Sequence, residues 1–141
     1  MQWRNHLHTG FTVGWAVFGN PVAAALAAWG ALLPDKLAFG FRRHRDWTHS
    51  PLIWLALFLL MRKTAALFDV PPEAVRLALA VPLGALVHVL CDALSRAGVP
   101  LLPPGILWIG IPLYRTWDWT EEVVAALVSG AALATVFAGL L

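Results

Sequence analysis

The chain has 141 residues, of which 60% are hydrophobic and only 13% charged, with a mean hydropathy of +0.71 and a formal net charge of +2. A soluble domain of this length carries about 25% charged residues, so too few polar groups are present to cover a water-facing surface. Disorder, which needs low hydropathy and high net charge, is excluded by the same numbers, and so small a positive excess excludes a nucleic-acid surface.

The composition predicts a single membrane-embedded domain over residues 1–141. Met1 to His8 is a short polar start that runs into hydrophobic sequence without an A-x-A-like cleavage site, so the first helix is expected to stay in the mature protein. Four stretches read as apolar: residues 11–33, 51–68, 74–94 and 121–141. Gly19-Asn20-Pro21 interrupts the first with a strong turn signal, and Pro21 suits the first turn of a new helix. Two readings compete: one spanning helix with a proline kink, or a hairpin of two helices of about 14 residues, each ~21 Å long. Arms that short enter a ~30 Å hydrocarbon core without comfortably spanning it, so length alone favours the single helix.

Ser50-Pro51 supplies an N-cap and a helix-starting proline for the next element, which ends at Asp69-Val70-Pro71-Pro72. A third runs from Glu73 to about Leu94, with a kink expected at Pro82. Its single cysteine, Cys91, cannot form an internal disulfide and reads as a buried thiol. Residues 97–113 are apolar but broken by Gly98, Pro100, Pro103, Pro104, Gly105, Gly110 and Pro112, which predicts an interfacial or re-entrant loop. Thr120 is expected to cap a last helix that carries Glu121 and Glu122 in its first turn. The fold class is therefore all-α, an integral membrane bundle of about five helices.

The polar residues choose between the two readings of the first stretch. With a hairpin and a chain that crosses alternately, all five histidines (His6, His8, His44, His49 and His88) gather at one end. Asp35, Asp46, Asp92, Asp118, Glu121 and Glu122 join them, whereas a single first helix would put His6 across the membrane from Asp35. Clustering selects the hairpin. Seven of the ten cations (Arg4, Lys36, Arg42, Arg43, Arg45, Arg96 and Arg115) lie at that same end, and the positive-inside rule assigns it to the cytoplasm.

His88-Val-Leu-Cys-Asp92 projects an imidazole and a carboxylate from one helix face, where they can share a metal ion or simply hydrogen-bond to each other. His44-Arg45-Asp46-Trp47-Thr48-His49 could chelate an ion, bind an anion through Arg45, or serve as a basic segment for anionic headgroups. Asp35 ends an apolar helix at the electrostatically wrong end for an anion and so asks for a nearby cation. His6 and His8 are weak signals singly, and Glu121 and Glu122 have a sufficient role as helix-dipole partners. Together, His6, Asp35, His49, His88 and Asp92 describe a metal site. Mixed nitrogen and oxygen ligation suits zinc, or else manganese, better than calcium or copper(I). One or two ions are expected, with Asp92 or Asp35 as bridge, an arrangement that clamps both oxygens in phosphoester hydrolysis.

The order His6-x3-Gly10, Leu33-Pro34-Asp35, His44-Arg45-x2-Thr48-His49-Ser50, His88-x3-Asp92 and Gly98-Val99-Pro100 resembles the YdjM-like family of inner-membrane metal-dependent hydrolases over roughly residues 5–122. The succession is also similar to the zinc-dependent phospholipase C and single-strand nuclease superfamily, a likeness that implies an all-helical core and zinc-assisted phosphoester cleavage. The resemblance implies a multi-pass protein of the bacterial inner membrane. It also implies that Asp35, His49, His88 and Asp92 hold a first ion, and that His6 serves a second with Asp92 as bridge. Leu37 stands where the family commonly has a second acid, and no histidine follows His88, so at most Glu121 remains to extend the site. The expected function is hydrolysis of a phosphoester such as a lipid headgroup, with Asp35 or Glu121 as general base and Arg45 on the phosphate. Membrane lipids are the expected partners, with homo-oligomerisation left open. Trp47, Trp54, Trp108, Trp117 and Trp119 read as a cleft lining or, more simply, an aromatic belt. The alternative is a non-enzymatic protein whose metal staples short helices and whose work is lipid binding or partner assembly. A transporter ranks last, because the helices offer no charged residues at mid-membrane.

Overall fold

The first apolar stretch folds as two helices. In the computed structural model, which describes residues 1–38, 47–102 and 105–139, α1 (Trp3–Phe18) and α2 (Pro21–Gly30) are joined by a two-residue turn. Gly19 adopts φ +60, a left-handed conformation that a side chain would strain. Asn20 Oδ1 accepts from the N–H groups of Val22 and Ala23 at 2.8 and 3.0 Å, and Pro21 takes a position where no donor is needed. The hairpin is thus present and the single kinked helix is not. Helix α1 also takes in most of the polar start, so His6 and His8 are helical.

Helix α2 meets the long helix α5 (Pro72–Ala93) through small residues, and Gly10 and Gly14 of α1 meet α2 in the same way. A Cβ added at Gly84 would lie 1.8 Å from the Ala27 carbonyl oxygen, and one at Gly30 would lie 2.2 Å from that of Val81. Ala23, Ala24, Ala27 and Ala80 are wholly buried along this seam. Backbones that touch through glycine and alanine are the packing mode of helices in an apolar solvent, where burial of large side chains gains nothing. Pro82 lies inside α5, and the helix continues through it.

Between α2 and α5 come α3 (Leu33–Leu37), a 3₁₀ turn (Trp47–His49) and α4 (Pro51–Leu67), which packs on α5. Ser50 stands at the N-cap position, but its hydroxyl caps nothing; it donates to the Leu101 carbonyl at 2.7 Å and ties α4 to the next segment. Helix α6 (Trp119–Phe137) packs on α1 and is preceded by Asp118, not by Thr120 as expected. The Thr120 hydroxyl instead accepts from the Arg115 N–H at 3.3 Å. Both expected caps found tertiary or loop partners.

The all-α expectation needs one correction. Residues 97–113 contain an antiparallel hairpin, β1 (Val99–Leu102) with β2 (Ile106–Ile109), in the register Val99↔Ile109 and Leu102↔Ile106. The glycines and prolines that forbid a helix leave runs of extended, largely apolar residues, and Pro100 is tolerated because both strands of a two-stranded ribbon are edges.

Among the described residues, α5 and α6 are the two helices long and apolar enough to cross a membrane, judged by length and composition. Large apolar side chains remain exposed along α4 (Leu57, Leu59, Leu60) and α6 (Leu127, Phe137). Buried polar side chains instead come from α1 (Asn5, His6, Thr9, Thr12), the 3₁₀ turn and its neighbour (His49, Ser50), the end of α5 (His88, Asp92) with Ser95, and α6 (Glu121, Ser129).

Candidate metal centre

Helix α2 ends near Ala31, whose carbonyl is one of the acceptors that a helix C-terminus leaves without an intrahelical donor. Close approach at Gly84 brings α5 within reach, and His88 Nδ1 donates to that carbonyl at 2.6 Å. A carbonyl can only accept, so the proton sits on Nδ1 and the lone pair on Nε2. That Nε2 is fully buried and has no hydrogen-bond partner. One turn further along α5, Asp92 is 2% exposed and places Oδ2 3.8 Å from His88 Nε2.

His49 enters from the 3₁₀ turn, which is pinned by the buried Trp54 indole donating to the Thr48 carbonyl at 2.7 Å. Its Nδ1 lies 3.1 Å from the Thr48 hydroxyl, and its Nε2 lies 3.2 Å from Asp35 Oδ1 and 3.9 Å from Asp92 Oδ2. Asp35, carried by α3, also approaches His88 Nε2 at 3.7 Å. Its side chain keeps 38% of its surface accessible. Burial raises the Asp35 carboxyl, but the hydrogen bond with His49 and the imidazoles of His88, His49 and His6 outweigh it and hold the group at about 2.

The Nε2 atoms of His49 and His88 therefore each lie near one oxygen of Asp35 and one of Asp92, at nitrogen–oxygen distances of 3.2 to 3.9 Å. Ligand atoms around a tetrahedral zinc with bonds of 2.0–2.2 Å sit about 3.4 Å apart. The donor set fits an ion. His6, from α1, completes the group: its ring stacks on His88 at 3.6 Å between centroids, and its Nε2 lies 3.4 Å from Asp92 Oδ1. Both ring nitrogens of His6 are buried without a hydrogen-bond partner. Asp92 thus turns Oδ2 to His49 and His88 and Oδ1 toward His6. The Met1 amino group donates to the same Oδ1 at 2.6 Å. Two triads, His6–Asp35–His88 and His49–His88–Asp92, have ligand atoms within 4.8 Å of one another. They share His88, whose one lone-pair nitrogen serves a single ion at a time.

Glu121 is wholly buried but stands outside these triads. Its carboxylate accepts from the Gln2 N–H, from Asn5 Nδ2 at 2.9 Å and from the Trp117 N–H at 3.0 Å. His8 faces α6, with Nδ1 3.0 Å from the Ser129 hydroxyl. Arg45 and His44 lie outside the described residues. Trp54 is the buried member of the tryptophan group, while Trp47, Trp108, Trp117 and Trp119 are exposed. Sequence reasoning missed the Ala31 carbonyl, the Met1 amino group and the Asn5–Glu121 bond. A backbone carbonyl carries no residue-type signal, and the other two depend on how α1 meets α5 and α6.

The YdjM inner membrane protein family matches residues 1–141. The uncharacterized protein YvsG of Bacillus subtilis (strain 168) is 28% identical over 126 residues, covering 77% of this chain and 74% of that protein. No solved structure matches.

Proposed function

Because the chain belongs to the YdjM inner membrane protein family, we propose that it is a multi-pass, membrane-embedded, metal-dependent hydrolase acting on a phosphoester such as a lipid headgroup. One observation carries the reading: the buried, unpartnered Nε2 of His88 inside a cage of carboxylates and imidazoles. Leaving a buried polar atom unsatisfied costs about 1–3 kcal/mol, and ionisable groups inside a membrane domain mark function by default. A cation satisfies that nitrogen and balances two carboxylates at once.

Zinc suits the mixed donors best, with manganese the alternative. A bound ion supplies water acidified toward a pKa of about 7 and polarises a phosphoryl oxygen. His49, His88, Asp35 and Asp92 would hold such an ion, and His6 with Asp92 would offer a second position. Asp35, the cage member whose side chain reaches solvent, would be the group placed to accept a proton from water at the site. Glu121 is the poorer base because three donors already occupy its carboxylate. Arg45 is assigned to the phosphate, which its planar fork can grip with two parallel bonds. Lys36, Arg96 and Arg115, next in sequence to Asp35, Ser95 and Tyr114 at the site end, favour a cytoplasmic site fed from the anionic leaflet.

Metal analysis of the purified chain should find zinc or manganese, and phospholipid vesicles or a chromogenic phosphodiester should be cleaved. His88→Ala and Asp92→Ala should lose both metal and turnover. Protein with no bound metal, and variants that lose nothing, would overturn the reading. A structural ion is favoured by a different fact: His6, His49 and His88 are wholly buried and Asp92 nearly so. X-ray absorption separates the two, because four protein ligands close a structural site while a water-bearing position marks a catalytic one.

A further inference from the structure

On α5, the metal cage uses His88 and Asp92, while Val87, Leu90, Cys91 and Leu94 form a separate stripe at the i, i+3, i+4, i+7 spacing that aligns side chains on one helix face. This stripe floors a groove of about 560 Å³ walled by Val13 of α1, Val128 of α6 and Ile109 of β2, and every residue lining it is apolar or glycine. The volume is within the range of small-molecule sites, about 300–1,000 Å³. A second cavity of about 300 Å³ shares Ile109 and Gly110 with the first, and is lined by Ser95, Arg96 and Trp108. Ser95 and Arg96 give this otherwise apolar cavity a polar, cationic side. Among the described residues no acid pairs with Arg96, which stands two residues beyond Leu94, the last of the stripe.

The apolar groove and the cavity lined by Arg96 have Ile109 and Gly110 as a common wall, and an apolar surface beside a guanidinium matches an amphiphile with a negative head. We propose that this groove binds an anionic membrane lipid, with one acyl chain along Val87, Leu90 and Leu94 and the phosphate of its headgroup on Arg96. Charge complementarity selects the occupant. A second protein helix would need no cation beside the trough, and a zwitterionic lipid would bring a choline or amine against Arg96. Anionic lipids are held in this manner by basic side chains at the ends of membrane helices. The site is distinct from the metal cage and does not depend on a bound ion or on hydrolysis.

The test is native mass spectrometry of the full detergent-solubilised chain, offered equimolar phosphatidylglycerol and phosphatidylcholine. Wild-type protein should retain phosphatidylglycerol about fivefold over phosphatidylcholine, the factor that one basic side chain contributes near an anionic surface. Arg96→Gln should abolish the preference and Arg96→Lys should restore most of it. Val128→Trp, which fills the trough from the α6 side, should reduce retention of both lipids, with an unchanged helical circular dichroism spectrum. Equal retention of the two lipids by wild-type protein, or an Arg96→Gln variant that keeps the preference, overturns the proposal.

Discussion

A single hydrogen bond sets the chemistry of His88. With Nδ1 donating to Ala31, Nε2 is fixed as an acceptor and aimed at Asp35 and Asp92, the outer-sphere device that orients metal-binding histidines. His88→Ala should therefore lower zinc retention by at least the tenfold to hundredfold that disturbing such support causes elsewhere, as read by equilibrium dialysis. Asp35 gives a pH prediction. Its folded pKa, about 2, lies below its ordinary value of 3.8, so ionised Asp35 stabilises the fold above pH ~4 and that contribution is lost as pH falls through ~2. Thermal unfolding of metal-free protein should therefore fall more steeply between pH 4 and 2 than that of Asp35→Asn; parallel curves would refute the linkage. That His6, Asp35, His49, His88 and Asp92 gather in one place was legible because polar side chains are rare in so apolar a chain. Ser50 and Thr120 misled as caps because a hydroxyl bonds whatever acceptor or donor folding brings to it, and the sequence shows only the local ones.

Among the elements, α1 is held at its N-terminus by another helix. It has neither a side-chain cap nor an acid in its first turn, and buried Glu121 of α6 accepts from Gln2 and Asn5 in their place. His6 lies one residue beyond Asn5, so this contact fixes where the His6 ring enters the site. Glu121→Ala should speed hydrogen exchange in the first turn of α1 and uncouple His6, while the cage of His49, His88, Asp35 and Asp92 still retains one ion. Loss of all metal together with global unfolding would show a wider role. The α2–α5 seam is less forgiving. Gly84→Val would drive a side chain into the Ala27 carbonyl, overpacking of a kind that costs 1–3 kcal/mol or more. It should separate Ala31 from His88, and both melting temperature and zinc content should drop. The Gly-Asn-Pro turn made the α1–α2 hairpin readable. The β-hairpin was not readable, because strands of four residues take their pairing from contacts that no local pattern encodes.

At the scale of the whole molecule, scarce charge and helix length constrain how the protein sits in a bilayer. Helix α1 has 16 residues and α2 has 10, roughly 24 and 15 Å at 1.5 Å per residue, so neither arm matches a hydrocarbon core of ~30 Å. Helices α5 and α6 carry the length. The cage sits at the C-terminal end of α5 and is tied through Gln2 and Glu121 to the first turn of α6. The two candidate spans therefore leave the site end in opposite chain directions, and the far ends of both point away from it. If Lys36, Arg96 and Arg115 hold the site end in the cytoplasm, the C-terminal end of α6 faces the other side. Alkaline phosphatase fused after Leu141 should then be active and a fluorescent protein at the same position dark. Phosphatase fused within residues 69–71, before α5, should be active as well, because that loop shares the far face. A cytoplasmic C-terminus would reverse the assignment and move the cage to the outer leaflet. There Arg96 would meet fewer anionic headgroups, so the orientation bears directly on which lipids the groove can draw from.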